Sequence, residues 1–247
     1  EKIELLREQN ETLETLAQTI FKEWFVNFNY PDATGEMVDS ELGEIPKGWH
    51  VEILDNLVEI IIDYRGKTPK KLGLDWSTKG IPALSAKTIK NGKIIRRDAM
   101  NLGSQDLYNI WMKDELKRKD ILITSEAPLG EMHYLNDDKK YILSQRLFAL
   151  RANKVITSEY LYHYLFSPLG QSLLNSRASG STVQGIRQSE LRKIKVLIPT
   201  ENFIKKSSSY FASIFNKTSN NDIQIQTLTK IRDTLLPKLM NGEVRVN

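Results

Sequence analysis

Four short segments hold the side chains best placed to do chemistry, and all are polar or basic rather than nucleophilic. Asp63-Tyr64-Arg65-Gly66-Lys67-Thr68-Pro69 sets an aromatic ring and two cations around a glycine. Ser85-Ala86-Lys87-Thr88-Ile89-Lys90 leaves the end of a predicted strand with hydroxyls and ammoniums. Leu143-Ser144-Gln145-Arg146 carries an amide and a guanidinium in a strand-like run. Residues 178–188, with Ser181, Thr182, Gln184 and Arg187, form a small-residue loop rich in donors. Arginine, lysine and backbone amides anchor phosphates, whereas Arg, Gln, Asn, Ser and Thr pair with base edges. The competing explanation for any one loop is an ordinary turn, and Gln145 and Arg146 would equally suit an internal polar network.

Signals for an enzyme are weak. Glu115-Leu116-Lys117 and Asp137-Asp138-Lys139 match the acid-x-Lys fragment of metal-dependent nucleases, but such triplets arise by chance in a chain with 27% charged residues. No Gly-x-Gly loop, Pro-Pro pair or complete phosphate-loop pattern is present, and there is no Gly-x-Ser-x-Gly nucleophile motif. His50, His133 and His163 are too far apart for a local metal motif, and cysteine is absent, which excludes thiolate sites and disulfides. No catalytic residue, no metal ligand and no cofactor of the chain's own is expected. A reducing cytoplasm suits this composition.

The balance of charge is modest, a formal +4 over 247 residues. The basic residues cluster in the middle: Arg65, Lys67, Lys70 and Lys71; Lys87, Lys90, Lys93, Arg96 and Arg97; Arg187, Arg192, Lys193 and Lys195. One such cluster is usually a solvated face, while several confined to one region favour nucleic acid. Apolar runs are short and broken by charge, so no membrane span is expected, and the acidic, amphipathic start is unlike a signal peptide.

Something must position these loops, and the two ends of the chain supply it. Ile3, Leu6, Leu13, Ala17, Ile20 and Trp24 recur at three- and four-residue steps; so do Ile214, Thr218, Ile225, Leu228, Leu235 and Leu239. A shift of 215 residues superposes Leu13 on Leu228, Ile20 on Leu235 and Trp24 on Leu239. Such seams pack along another helix, so the copies are expected to pair. The first helix should run to about Phe28, before Tyr30-Pro31, and the second from about Ser208 to Asn241, closed by Asn241-Gly242 and bent at Pro237. Glu1 already lies inside the heptad pattern, so a piece or product of a longer chain is expected.

Between them the pattern is mixed. Strands are predicted at 58–62, 81–85, 120–124 and 194–198, with a hairpin turn at Asn91-Gly92. Residues 132–135 and 141–150 are expected to pair across Asn136-Asp137-Asp138. Helices should start at Thr157 or Ser158 and again at Ser167-Pro168. The predicted class is α+β: a long helix (1–30), a connector (31–44), a mixed α/β domain (45–205) and a second long helix (206–247). A rod of 22–30 helical residues at ~1.5 Å each spans roughly 33–45 Å, close to one turn of B-DNA at about 34–36 Å.

In order and spacing the segments resemble a type I restriction–modification specificity (S) subunit. The carrying stretches are Leu13 to Phe25, Gly43-Glu44-Ile45-Pro46-Lys47-Gly48-Trp49, Gly180 to Ile186, Ile194 to Pro199, and Thr234-Leu235-Leu236-Pro237-Lys238-Leu239-Met240-Asn241-Gly242-Glu243. The resemblance implies a non-catalytic, cytoplasmic, prokaryotic protein in which each target-recognition domain reads half of a bipartite double-stranded DNA site and paired helices set the gap. It implies methyltransferase (M) subunits that use S-adenosylmethionine, and restriction (R) subunits that use ATP and Mg, as partners. One recognition domain and two helices suggest half of such a subunit, or a half that dimerises.

On that basis phosphates are assigned to Arg65, Lys67, Lys87 and Lys90. Base edges are assigned to loops around Ser85, Ser125, Glu126, Gln145, Arg146, Ser181, Thr182 and Gln184, with Tyr64, Thr68 and Arg187 beside them. Leu5, Leu16, Phe21, Phe25 and Ile231 flank the seam and are assigned to an M subunit; the alternative is that they dock the globular domain. The rival functions are a self-contained nuclease or methyltransferase, and a helical scaffold that binds protein.

Overall fold

The computed structural model describes residues 1–241 and Glu243. Along the chain, α1 (Lys2–Phe25) is followed by β1 (Met37–Ser40), β2 (Gly43–Pro46), β3 (His50–Ile53), β4 (Val58–Asp63) and β5 (Ile81–Leu84). Then come β6 (Ile89–Lys90), β7 (Lys93–Ile94), β8 (Leu102–Gly103), α2 (Gln105–Trp111), β9 (Ile121–Thr124) and β10 (Met132–Tyr134). The chain continues through β11 (Ile142–Leu143), β12 (Leu147–Ala152), α3 (Ser158–Phe166), α4 (Pro168–Ser176), α5 (Gln188–Leu191), β13 (Lys195–Ile198) and α6 (Glu201–Met240). The class is α+β.

A four-stranded sheet of order β10-β9-β12-β4 forms the centre. Side chains alternate across a strand, and here both faces are covered, which explains the unbroken apolar run of β9. Ile121, Ile123, Phe148 and Leu150 pack towards the helices, while Leu122, Leu147 and Ala149 join Leu84, Ile142 and Trp111 on the other side. The second face is closed by the three-stranded sheet β11-β5-β8 and by α2.

One pairing differs from expectation. β10 pairs with β9, Met132 opposite Ile123, and residues 141–150 split into two strands of different sheets. β11 runs parallel to β5, whereas β12 lies antiparallel between β9 and β4. The split occurs at Ser144–Arg146, where Arg146 adopts φ +63°. That conformation turns the strand and ends the period-2 pattern on which a single long hairpin would depend. The Asn91-Gly92 hairpin forms as predicted, with φ of +47° and +77°.

The long helices run antiparallel. Asn10 meets Asn221 and Asp222, Phe21 meets Phe211, and Trp24 meets Phe203 and Tyr210. Continuing that register, the first residues of α1 lie near Thr229 of α6. Ile3, Leu6, Leu13, Ala17, Ile20, Trp24, Ile225 and Leu228 are buried or half-buried along the seam, but Leu235 and Leu239 are exposed. Those two therefore do not pair with α1. Antiparallel packing sends equivalent positions of the two copies to opposite ends of the rod.

α6 begins at Glu201 rather than near Ser208, because Phe203, Ile204, Ser207 and Phe211 already face the domain core. It continues through Pro237 to Met240; Gly242, half of the predicted cap, lies outside the described residues. Phe21 and Phe25 are 3% and 2% exposed, packed against Tyr160, Phe203 and Phe211. They dock the domain and are not partner surface. Leu5, Leu16 and Ile231 are exposed.

Candidate nucleic-acid interface

The loops at the ends of β4, β5, β9 and β11 meet around a cleft of about 490 Å³. Lys67, Thr68, Ser85, Lys87, Gln145 and Arg146, chosen from separate stretches of sequence, all line it. So do Lys70, Trp76 and Asn101. Lys70 belonged to a recognised basic run, and Trp76 is an aromatic in a polar loop; nothing in the sequence pointed to Asn101.

Backbone bonds hold the central corner. Ser144 N donates to Leu84 O at 2.8 Å, Ala86 N to Gln145 O at 3.2 Å, and Ser125 N to Arg146 O at 2.9 Å. Gln145 and Arg146 thus stand at the junction of two sheets, exposed and directed into the cleft, instead of closing an internal network. Arg146 pairs with Glu126, Nε to Oε1 3.0 Å.

The 179–185 loop stands beside this corner. Ser179 and Gly185 exchange backbone bonds at 2.9 and 3.0 Å, and Ile186 N donates to Ser125 O at 2.9 Å. A Cβ on Gly185 would lie 3.1 Å from both Glu126 Cβ and Ser125 O, so a larger residue would push the loop off Glu126. Ser181, Thr182 and Gln184 are exposed at its tip.

Several assigned residues are otherwise engaged. Arg65 donates from Nε and Nη2 to the two carboxylate oxygens of Asp63 at 2.9 and 2.8 Å, and its guanidinium lies 4.0 Å from the centre of the Phe148 ring. It is a structural bridge, unsuited to a phosphate. Lys67 Nζ donates to Trp111 O at 2.9 Å and sits over the Tyr64 ring; burial, with Lys113 nearby, holds its ammonium below the ordinary lysine range. Tyr64 is buried, its hydroxyl accepting from Asp114 N at 2.6 Å, and Ser125 is 1% exposed; neither can reach a base edge. Arg65, Lys67 and Tyr64, next to a strand end, meet polar groups of the fold before they meet a ligand, whereas Ser125 is simply buried.

Lys90 lies on the β6–β7 hairpin, apart from the residues lining the cleft. That hairpin packs towards α1, where Lys93 pairs with Glu14 at 3.1 Å. Arg187 is exposed at the start of α5. Lys70 and Lys87 are exposed and make no ion pair or side-chain hydrogen bond among the described residues, which leaves them free to meet an anion.

Gly66-Lys67-Thr68 repeats the closing letters of a phosphate loop, but Ile61 occupies the place of its first glycine and a short turn at Lys70–Leu72 follows instead of a long helix. Of the histidines, His163 is packed among Phe21, Phe211 and Phe215, and burial pushes its pKa down to about 3. His133 donates from Nδ1 to Gly92 O at 2.7 Å, and burial lowers its pKa to about 4. His50 is exposed on β3. Among the described residues no three His, Cys, Asp or Glu side chains gather as a metal site, and no helix is long and apolar enough to cross a membrane.

Comparison with known proteins matches residues 46–230 to the family described as type I restriction modification DNA specificity domain. The chain is 27% identical over 301 residues to the type I restriction enzyme HindI specificity subunit of Haemophilus influenzae, covering 99% of this chain and 64% of that protein. It is 29% identical over 246 residues to the MjaIX specificity subunit of Methanocaldococcus jannaschii, covering 99% of this chain and 56% of that protein. It thus spans less than two thirds of either relative. Among solved structures, the type I restriction-modification S subunit from M. genitalium aligns with a TM-score of 0.57 at 15% identity, over 96% of this chain and 55% of that one. A structure concerned with assembly and conformational transition of the type I R-M system aligns at 0.52 and 17% identity, over 95% and 53%. These two support the fold.

Proposed function

Because the chain belongs to the type I restriction-modification DNA specificity family, we propose that it reads one half of a bipartite DNA target for a methyltransferase and restriction complex, without chemistry of its own. The observation that carries this reading is the cleft in which Thr68, Lys87, Gln145 and Arg146 converge from three stretches of chain. Free lysines beside fixed polar side chains are what phosphate anchoring and base readout require together. Lys70 and Lys87 take the phosphates in place of Arg65, and Gln145, Arg146 and the 181–184 loop face the groove.

The helices act as spacer and dock. Exposed Leu5, Leu16, Ile231, Leu235, Leu236 and Leu239 offer apolar surface to M subunits, to a second S half, or to a second copy of this chain. S-adenosylmethionine, ATP and Mg belong to the M and R subunits, and the site of action is the prokaryotic cytoplasm. The division of the chain into helix (1–30), connector (31–44), recognition domain (45–205) and helix (206–247) is part of the same proposal, with the start of α6 moved to Glu201.

The test is selection of bound duplexes from a randomised pool, with and without an M subunit. A short fixed half-site is expected. Binding that ignores sequence, or cofactor-dependent modification of DNA by the isolated chain, contradicts the proposal.

A further inference from the structure

Resting on the reading of the cleft as a DNA interface, we propose that Arg146 reads a guanine and that Glu126 acts as its positioning residue.

Arg146 is fixed at both ends. Its backbone is held at φ +63° by the bond from Ser125 N, on a corner that is itself bonded to β5. Its Nε lies 3.0 Å from Glu126 Oε1, an ion pair that keeps the guanidinium beside Glu126 and leaves the two Nη groups without an ion pair among the described residues. Glu126 is held in turn by bridging to Gly185. Both side chains are about half exposed, so the pair can meet a ligand without unfolding anything.

The other arginine near the corner is satisfied: Arg65 is bidentate to Asp63. Arg146 is the one arginine lining the cleft among the described residues.

Charge decides between phosphate and base. An arginine carrying a carboxylate at 3.0 Å is close to neutral as a unit, and the carboxylate repels a phosphate. A base edge has no net charge, so the repulsion is weaker there. Two parallel N–H groups of the planar guanidinium match the O6 and N7 acceptors of guanine in the major groove. Lys70 and Lys87, flexible and unpaired, lack this planar fork.

The experiment selects bound duplexes with the full chain as wild type, R146A, R146K and E126Q, at two salt concentrations, with folding checked by thermal melting. Wild type is expected to require guanine at one position. R146A should lose that preference by on the order of 10–100-fold and leave the other positions unchanged. R146K should keep the salt slope and lose most of the preference; it also carries the test if R146A does not fold. E126Q should bind unselected DNA more tightly yet discriminate less at the same position. A guanine retained in R146A overturns the inference and leaves the DNA reading standing, as does a uniform loss with a salt slope lower by about one. A wild-type chain that selects nothing removes both.

Discussion

At the scale of the residue, the two cations Arg65 and Lys87 make opposite predictions. Lys87→Ala should weaken DNA binding evenly across sequences and lower the log–log salt slope by about one, read by titration at several ionic strengths. Arg65→Ala should leave that slope alone and lower stability by about 1.5–3 kcal/mol, since it strips two bonds from Asp63; a chemical denaturation curve decides. His163 yields a pH prediction with a definite sign. Its folded pKa of about 3 lies below the ordinary 6.5, so the unfolded chain binds the extra proton. Stability from the neutral ring is therefore complete above about pH 6.5 and is lost as pH falls towards 3. At pH 5 the loss is roughly 2 kcal/mol at 1.36 kcal/mol per pH unit. His163→Phe should make that part of the curve shallower, with His133, lowered to about 4, supplying the remaining slope; an unchanged curve would show that His163 does not contribute.

At the scale of the element, the paired helices are held by a polar step within an apolar seam. Asn221 Nδ2 donates to Asn10 Oδ1 and Gln9 Oε1, both at 2.8 Å, and Asn10 Nδ2 donates to Asp222 Oδ1 at 2.9 Å. Asn10 and Asn221 are 2% and 0% exposed. A buried amide pair penalises any shift of one helix along the other, because the shift would leave both unsatisfied. Asn221→Leu alone should cost about 1–3 kcal/mol, whereas the double change to leucine should restore stability and admit other registers. Thermal melts and a cysteine cross-link placed across the seam would measure the two effects. Farther along α6, Leu235 and Leu239 are exposed. Changing both to Glu should leave the melt within about 0.5 kcal/mol, as for surface positions, and abolish copurification with an M subunit. Retained copurification moves the dock elsewhere.

At the scale of the whole molecule, the cleft is formed by the globular part and the helices leave it on the opposite side of the central sheet. Reading and spacing are then separable. Inserting whole turns of about 3.6 residues into both α1 and α6, beyond the Asn10–Asn221 step, should change the preferred distance between half-sites in a full assembly. The bases selected by the cleft should stay the same. A changed base preference with an unchanged gap would rule out a spacer role.

The sequence by itself determined the helices, most strands and the family, because periodicity, caps and turn residues are local. Thr157, Ser167-Pro168 and Asn91-Gly92 each act within a few residues of their own position. The polar loops were legible too, as clusters of donors. Only the tertiary structure decided which of those donors are free. Arg65 and Arg146 look alike in the chain, yet one is bound to Asp63 and buried against Phe148 while the other faces a cleft. Likewise Leu228 and Leu235 follow one heptad pattern, but the first is half-buried and the second exposed. Local rules specify what each segment can become. Availability depends on what the rest of the chain brings within reach, and that is set by contacts remote in sequence.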